Sequence, residues 1–374
     1  MAVEEVPLGE AAGRVLAETI TADRDYPPVA RSVRDGFAVR AGDLPGSLEI
    51  VGEVRAGAHW DGVVGPGLAV EIMTGAAVPR GADAVVMIEH TRREGSRVAT
   101  DRAPRAGEFI NPAGAEARRG QVLLEPGERM DYSRIALAAA AGRTSLGVYV
   151  SPRVAILSTG DEVIPIGEIP NDAQVRNSNA WSLAAQVSRA GGLPDMLPVA
   201  PDDYDPLRAL IERGLEADLL LLSGGVSAGK YDLVERVLAD LGAEFYFDRV
   251  LIQPGQPLVF GRARGTYFFG LPGNPASTMV TYELFARAAQ ERLGGLRRPE
   301  LPLSLARLTE TFSHRMGLTR FLPARLDAGG VELTPIRWQG SADIPSLASA
   351  NAFLVADAGR ETWIAGDLIE VLAK

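Results

Sequence analysis

Three short segments carry residue types that could do chemistry. They are Ser158-Thr159-Gly160-Asp161-Glu162, then Ser223-Gly224-Gly225-Val226-Ser227 with Lys230 and Asp232 just behind, and Leu271-Pro272-Gly273-Asn274-Pro275. A glycine-rich turn at a helix N-terminus offers backbone N–H groups to an anion. Carboxylates beside it need a cation between themselves and that anion, and Mg²⁺ is the hard ion that oxygen ligands suit. Asp202 and Asp203, behind another apolar stretch, could face the same crevice. The chemistry such a set suits is the handling of a phosphorylated or oxyanionic ligand. Each acid also has a plainer reading. Asp161, Asp202 and Asp203 could only form turns, and Asp232 could only cap its helix. Gly224 to Lys230 spells G-x-x-x-x-G-K, but Tyr231 stands where a P-loop needs a magnesium-binding hydroxyl. An ATP-hydrolysing P-loop enzyme is therefore a minor alternative.

The elements that must position these residues follow from hydrophobic period. Arg153–Ser158, 197–200, 219–222 and 266–270 read as strands, with further strands at 244–252 and 257–261. Between them lie predicted helices at 178–189, at 206–215 with Asp205 as cap and Pro206 first, at 232–241, and from Pro275 to Leu293 with Asn274 as cap. This β/α alternation predicts a mostly parallel, three-layer α/β domain, whose ligands sit outside the carboxyl ends of its strands. All three chemical segments fall there. Upstream, residues 3–18 read as a helix, 48–51, 68–72 and 84–88 as strands of a small β domain, and 131–140 as a helix. Alternating runs after residue 300 predict a small all-β domain.

Composition narrows the function. With 374 residues, 46% apolar and 23% charged, the chain should hold two to four soluble domains. A net charge of −10 excludes a nucleic-acid surface, which needs clustered cations. No apolar run approaches the ~20 residues that span a bilayer, and no signal-peptide core follows Met1, so no membrane partner and a cytoplasmic location are expected. The chain has no Cys, and its three His (His59, His90, His314) lie far apart, which argues against zinc and Ser–His–Asp catalysis.

The motifs, taken together and in order, resemble those of the molybdopterin molybdenumtransferases, the MoeA/gephyrin E-domain family. Besides the three segments, Ser32-Val33-Arg34-Asp35-Gly36-Phe37-Ala38 resembles the family's S-x-x-D-G-Y/F-A. Ile72-Met73-Thr74-Gly75-Ala76 resembles I-x-T-G-A, and Gln253-Pro254-Gly255-Gln256-Pro257 its P-G-K-P turn. Gly340-Ser341 resembles a glycine-serine pair in the last domain. The resemblance covers nearly the whole chain.

It implies a multidomain α/β plus β protein. An elongated, discontinuous domain I would take 1–22 with 106–148, and a β-rich domain II 23–105. A three-layer α/β molybdopterin-binding domain III would take 149–296, and a small C-terminal β-barrel domain IV 297–374. It implies a homodimer whose cleft is shared between subunits, and Mg²⁺-dependent insertion of molybdate, with tungstate the alternative, into adenylylated molybdopterin with release of AMP. An upstream molybdopterin adenylyltransferase and downstream molybdoenzymes would be further partners. The alternative is an adenylyltransferase-type or other phosphate-binding α/β enzyme, since the α/β module alone also serves that step.

As catalytic residues the resemblance implies Asp161, Glu162, Asp202, Asp232, Asp35 and Thr74, the last two from the partner chain, with Glu162 and Asp232 as metal ligands. As binding residues it implies Ser158, Thr159, Gly160, Ser223, Gly224, Gly225, Ser227, Lys230, Gln253, Gln256, Pro272, Gly273, Asn274, Pro275, Glu116 and Ser341. The chain departs from the pattern where Gln253 and Gln256 replace lysines, Glu116 an aspartate and Asn111 an arginine.

Overall fold

Leu219-Leu220-Leu221-Leu222 has no polar face, so a strand made from it must be covered on both sides. In the computed structural model, which describes residues 1–224 and 233–374, the strand Leu219–Ser223 lies inside a six-stranded sheet and is covered in that way. Leu220 and Leu222 join a core with Leu207, Ile211, Val234, Val237 and Leu238. Leu219 and Leu221 point the other way, among Ala180, Leu183, Val187, Tyr282 and Ala286. Helices Tyr204–Gly214 and Leu233–Asp240 cover the first face, and Ser178–Arg189 with the 275–293 helical run the second. This is the predicted three-layer α/β domain.

Across the sheet the strands run Leu193–Met196, Arg153–Ser158, Leu219–Ser223, Thr266–Leu271, Pro257–Ala263 and Glu244–Arg249. The first four are parallel, and Pro257–Ala263 pairs antiparallel with both of its neighbours, Thr266–Leu271 and Glu244–Arg249. One strand is displaced from its predicted place. It occupies Leu193–Met196 instead of 197–200, because this edge position tolerates Pro194 and leaves most of the strand exposed. Leu197 and Ala200 are buried, but in the loop that follows. The helix predicted at 206–215 also starts early, at Tyr204, so Pro206 is not its first residue and Asp203 rather than Asp205 holds the cap position. The 275–293 run contains a π-helical turn at Tyr282–Ala286.

The predicted helix at 3–18 is absent. Val3–Pro7 is a strand paired with Ser145–Tyr149, followed by a short 3₁₀ turn at Leu8–Glu10. The helical spacing of Leu8, Ala11, Val15 and Leu16 loses here to a strand partner far along the chain.

Downstream, strands Leu303–Leu308, Thr319–Leu326, Glu332–Pro335, Ala352–Ala356 and Leu368–Ala373 close a five-stranded barrel, since Thr319–Leu326 pairs with both Glu332–Pro335 and Ala352–Ala356. Ala306, Leu308, Ala324, Leu354 and Val371 fill it. A separate cluster, with Ile252, Ala276, Val280, Phe321, Leu347 and Phe353, ties the barrel to the helix that starts at Pro275. These parts, with Met1–Ala17 and Pro126–Asp131, form one compact unit.

Residues Glu18–Glu125 and Tyr132–Ser145 form a second unit. Its mixed sheet orders Ala84–Met87, Gly36–Val39, Leu68–Ile72, Gly46–Val54, Arg97–Thr100 and Arg92–Glu94. Alternate residues feed two cores, Phe37 and Val39 into one and Ala38 into the other. Gly36 is required where it stands, because a Cβ there would lie 1.9 Å from the Val86 carbonyl oxygen.

Candidate functional site

Strands Arg153–Ser158 and Leu219–Ser223 are neighbours in register, with Ser158 opposite Ser223. The helices that follow them pack on opposite faces of the sheet, Ser178–Arg189 on one and Leu233–Asp240 on the other. The connections thus part between these two strands, which opens the crevice where α/β folds bind ligands.

A cleft of about 670 Å³ lies there. Ser158, Thr159, Glu162, Arg176, Asn177, Asn179, Ser223, Gly224, Gly273, Asn274 and Pro275 are among its walls, and Ala342 and Ile344 of the barrel segment border it. Three loops converge at its floor. Gly224 has φ +92°, and a Cβ on it would meet the Thr159 carbonyl oxygen at 2.7 Å. A Cβ on Gly273 would touch the Gly224 Cα at 3.6 Å. The Thr159 amide donates to the Ser223 carbonyl at 3.0 Å and the Gly224 amide to the Leu271 carbonyl at 3.3 Å.

Side chains complete the floor. Ser158 Oγ donates to Asn177 Oδ1 at 2.9 Å, and the same Oδ1 accepts the Ala180 amide as the N-cap of its helix. Asn179 Nδ2 donates to Ser223 Oγ at 2.9 Å and to the Gly273 carbonyl at 2.7 Å, bridging two strand ends. Of the cleft's own residues, two have a buried polar atom without a partner among the described residues, Thr159 Oγ1 and Asn179 Oδ1. Buried polar groups are nearly always paired, so a spare hydroxyl and a spare amide oxygen in a cleft wall mark a place for ligand atoms.

The predicted acids take different places. Glu162 is exposed in the cleft wall with no hydrogen bond to its carboxylate among the described residues. Asp161 Oδ1 accepts the Asp202 amide at 3.0 Å, so its carboxylate braces the adjoining loop, and neither residue is in the described lining. Asp232, Gly225, Ser227 and Lys230 lie outside the described residues. Gly160, with φ +127°, and Pro272 stand behind the wall. The Pro272 carbonyl accepts Thr278 Oγ1 at 2.5 Å. Asn274 stands at the N-cap of the helix from Pro275, yet its side chain makes no capping bond.

Ser341 meets that helix through its backbone, its carbonyl accepting the Ala276 amide at 2.9 Å. Gln253 and Gln256 are also outside the described lining. Their turn packs on helix Pro275–Thr281, where a Cβ on Gly255 would meet Thr281 Cγ2 at 2.5 Å. Sequence reasoning missed Arg176, Asn177 and Asn179. The signal was an Asn directly before the amphipathic stretch from Ser178, which is a helix N-cap pattern.

In the second unit, two motifs meet. The amide and hydroxyl of Thr74 both donate to Asp35 Oδ1, at 2.5 and 2.7 Å. Backbone and then side-chain donation from Thr74 hold the Asp35 carboxyl below its ordinary pKa. The charged form is the one that accepts these bonds. Their contribution is therefore present above the ordinary value and lost only as pH falls through the lowered one. Thr74→Val keeps the amide donor and removes the hydroxyl. Carboxyl-carbon NMR titration should then find the Asp35 pKa raised part of the way back, and an unchanged value would show that the hydroxyl contributes nothing. Asn111 Nδ2 donates to Glu116 Oε1 at 2.9 Å, so the two substituted positions partner each other.

These features define a multidomain protein built on a molybdopterin-binding type of α/β domain, for residues 155–292 match the family model described as a probable molybdopterin binding domain. Residues 1–142 match the MoeA N-terminal region (domain I and II), and residues 305–374 the MoeA C-terminal region (domain IV). A molybdopterin molybdenumtransferase from Bacillus subtilis (strain 168) is 35% identical over 99% of this chain and 89% of its own length. One from Nostoc sp. (strain PCC 7120) is 38% identical over 78% of this chain and 70% of its own. The crystal structure of the molybdopterin biosynthesis MoeA protein from Pyrococcus horikoshii OT3 superposes with a TM-score of 0.82. It is 28% identical and covers 100% of this chain and 95% of that one. The chain belongs to the molybdopterin molybdenumtransferase (MoeA) family.

Proposed function

We propose that this protein is the molybdotransferase of molybdenum cofactor biosynthesis, inserting molybdate into adenylylated molybdopterin with release of AMP in an Mg²⁺-dependent step. The observation that carries this reading is the cleft at the switch point, with its spare Thr159 hydroxyl and Asn179 amide oxygen. On this reading the hydroxyl would donate to an anionic oxygen of phosphate or molybdate, and Asn179 Oδ1 would accept an N–H of the pterin. Ser158 and Ser223 fix the two strand ends through Asn177 and Asn179, so the wall is preorganised. Cleavage of a phosphoanhydride asks mainly for positioning and charge neutralisation, which needs no protein nucleophile.

The donor set fits Mg²⁺, because Glu162 presents a hard carboxylate free of hydrogen bonds among the described residues. Glu162, with Asp232, would hold the ion, which when bound neutralises phosphate charge. Among the described residues no group of three or more acids or histidines gathers to hold a metal. That suits an ion whose remaining ligands are water and substrate.

The reading extends to a homodimer in which a second copy supplies Asp35 and Thr74, to the four domains at the boundaries given above, and to a cytoplasmic location. No helix of the described chain is long and apolar enough to cross a membrane. The test is direct. The purified protein is incubated with adenylylated molybdopterin, Mg²⁺ and molybdate, and AMP and active cofactor are measured. Both should form, with tungstate as a competing oxyanion. Absence of both would overturn the reading, and ATP turnover without pterin would point to an NTPase instead.

A further inference from the structure

Glu162 and Arg176 reach the cleft from one small ribbon. Strand Val163–Ile164 pairs in parallel with Val175–Arg176, so that Ile164 stands opposite Arg176. Three backbone bonds pin the ribbon. The Val175 amide donates to the Glu162 carbonyl at 2.8 Å, the Asn177 amide to the Ile164 carbonyl at 2.9 Å, and the Val163 amide to the Gly160 carbonyl at 3.1 Å. The next residue, Asn177, is both the helix N-cap and the partner of Ser158. The Arg176 backbone is therefore fixed relative to the strand end.

The side chain is partly fixed as well. Arg176 Nε donates to the Glu168 carbonyl at 3.0 Å, while the two terminal nitrogens have no partner among the described residues. Arg176 is the one Lys or Arg in the described lining, and Glu162 the one acid. Gln253 and Gln256, which stand where the resemblance has lysines, bring no charge and lie outside that lining. A phosphate entering this cleft thus meets a single described cation. A guanidinium tethered at Nε still presents its terminal nitrogens to phosphate oxygens as a fork.

We propose that Arg176 is a phosphate-binding residue of this cleft, and that it supplies, from the ribbon, positive charge absent at Gln253 and Gln256. The ligand class is the phosphate of a nucleotide-linked or phosphorylated pterin. The inference rests on the proposed reaction for its substrate, and on the cleft alone for its anion site.

The experiment therefore has two arms, applied to the full chain and to Arg176→Ala and Arg176→Lys. In the first, AMP binding is measured by calorimetry at low and high salt. Arg176→Ala should weaken it by about tenfold to a hundredfold, as expected for lost charged hydrogen bonds. Arg176→Lys should recover part of the loss, and the salt dependence should be shallower without the charge. In the second, KM for adenylylated molybdopterin should rise by a similar factor in Arg176→Ala, while KM for molybdate stays put. If the parent makes no cofactor but Arg176→Ala still loses AMP, the proposed reaction fails and the anion site stands. If the parent is active and Arg176→Ala keeps AMP affinity and KM, the inference is overturned. It is also overturned if the parent binds no AMP.

Discussion

Replacing Glu162 with Gln is expected to lower turnover on the order of a hundredfold or more, the scale of losing one preorganised electrostatic contact. The melting temperature should stay within about 2 °C, as for an exposed residue away from packing or caps. The prediction follows from contrast between two adjacent acids. Asp161 is committed to the Asp202 amide, whereas Glu162 has no such duty and stands in the cleft wall. Gln keeps the size of Glu, removes the charge and turns one metal-binding oxygen into an N–H donor. A loss in the variant should therefore appear in kcat and in the Mg²⁺ concentration giving half-maximal rate, assayed as AMP release. Asp161→Asn should instead disturb the loop at Asp202, with a smaller effect on the Mg²⁺ dependence. If Glu162→Gln turned over at the parent rate, Glu162 would not be the carboxylate that matters.

The same contrast shows what a sequence can carry. Two-faced burial of Leu219–Leu222 and the apolar run at Val154–Leu157 follow from residue type alone, and the layers came out where they point. Described residues of all three chemical segments line one crevice, because strand ends of a parallel sheet share an edge. What stayed hidden depends on contacts between distant residues. Nothing local says that Val3–Pro7 will pair with Ser145–Tyr149, or that Pro194 will be accepted at a sheet edge. Asn179 is an unremarked helix residue until Ser223 and Gly273 arrive beside it from 44 and 94 positions away. Arg176 needed the ribbon of Val163–Ile164 to bring it into the cleft. Gln253 and Gln256 read as site residues from their motif, and the place of their turn, packed through Gly255 on Thr281, depends on a contact the sequence does not show.

The convergence of the loops leads to the second large effect, Gly224→Ala. Two costs add at this position. The φ of +92° is a left-handed conformation that L residues adopt at a cost of roughly 1–2 kcal/mol. The new methyl would also sit 2.7 Å from the Thr159 carbonyl and 3.3 Å from its hydroxyl, and backbone cannot swing aside as a flexible side chain can. Relief of that overlap costs about 1–3 kcal/mol more. The expected total is about 2–5 kcal/mol of stability in chemical denaturation. The loss should be accompanied by loss of turnover, because the shift would displace the spare Thr159 hydroxyl from the wall.

Gly242→Ala separates the two costs. Gly242 has φ +78° but nothing within 4 Å of a Cβ, so this variant should lose only the conformational part and keep its activity. A Gly224→Ala protein no weaker than Gly242→Ala, and as active, would show that the close approach of Thr159, Gly224 and Gly273 is not needed. A larger loss, with AMP affinity falling alongside turnover, would place the substrate against the surface those three loops make together.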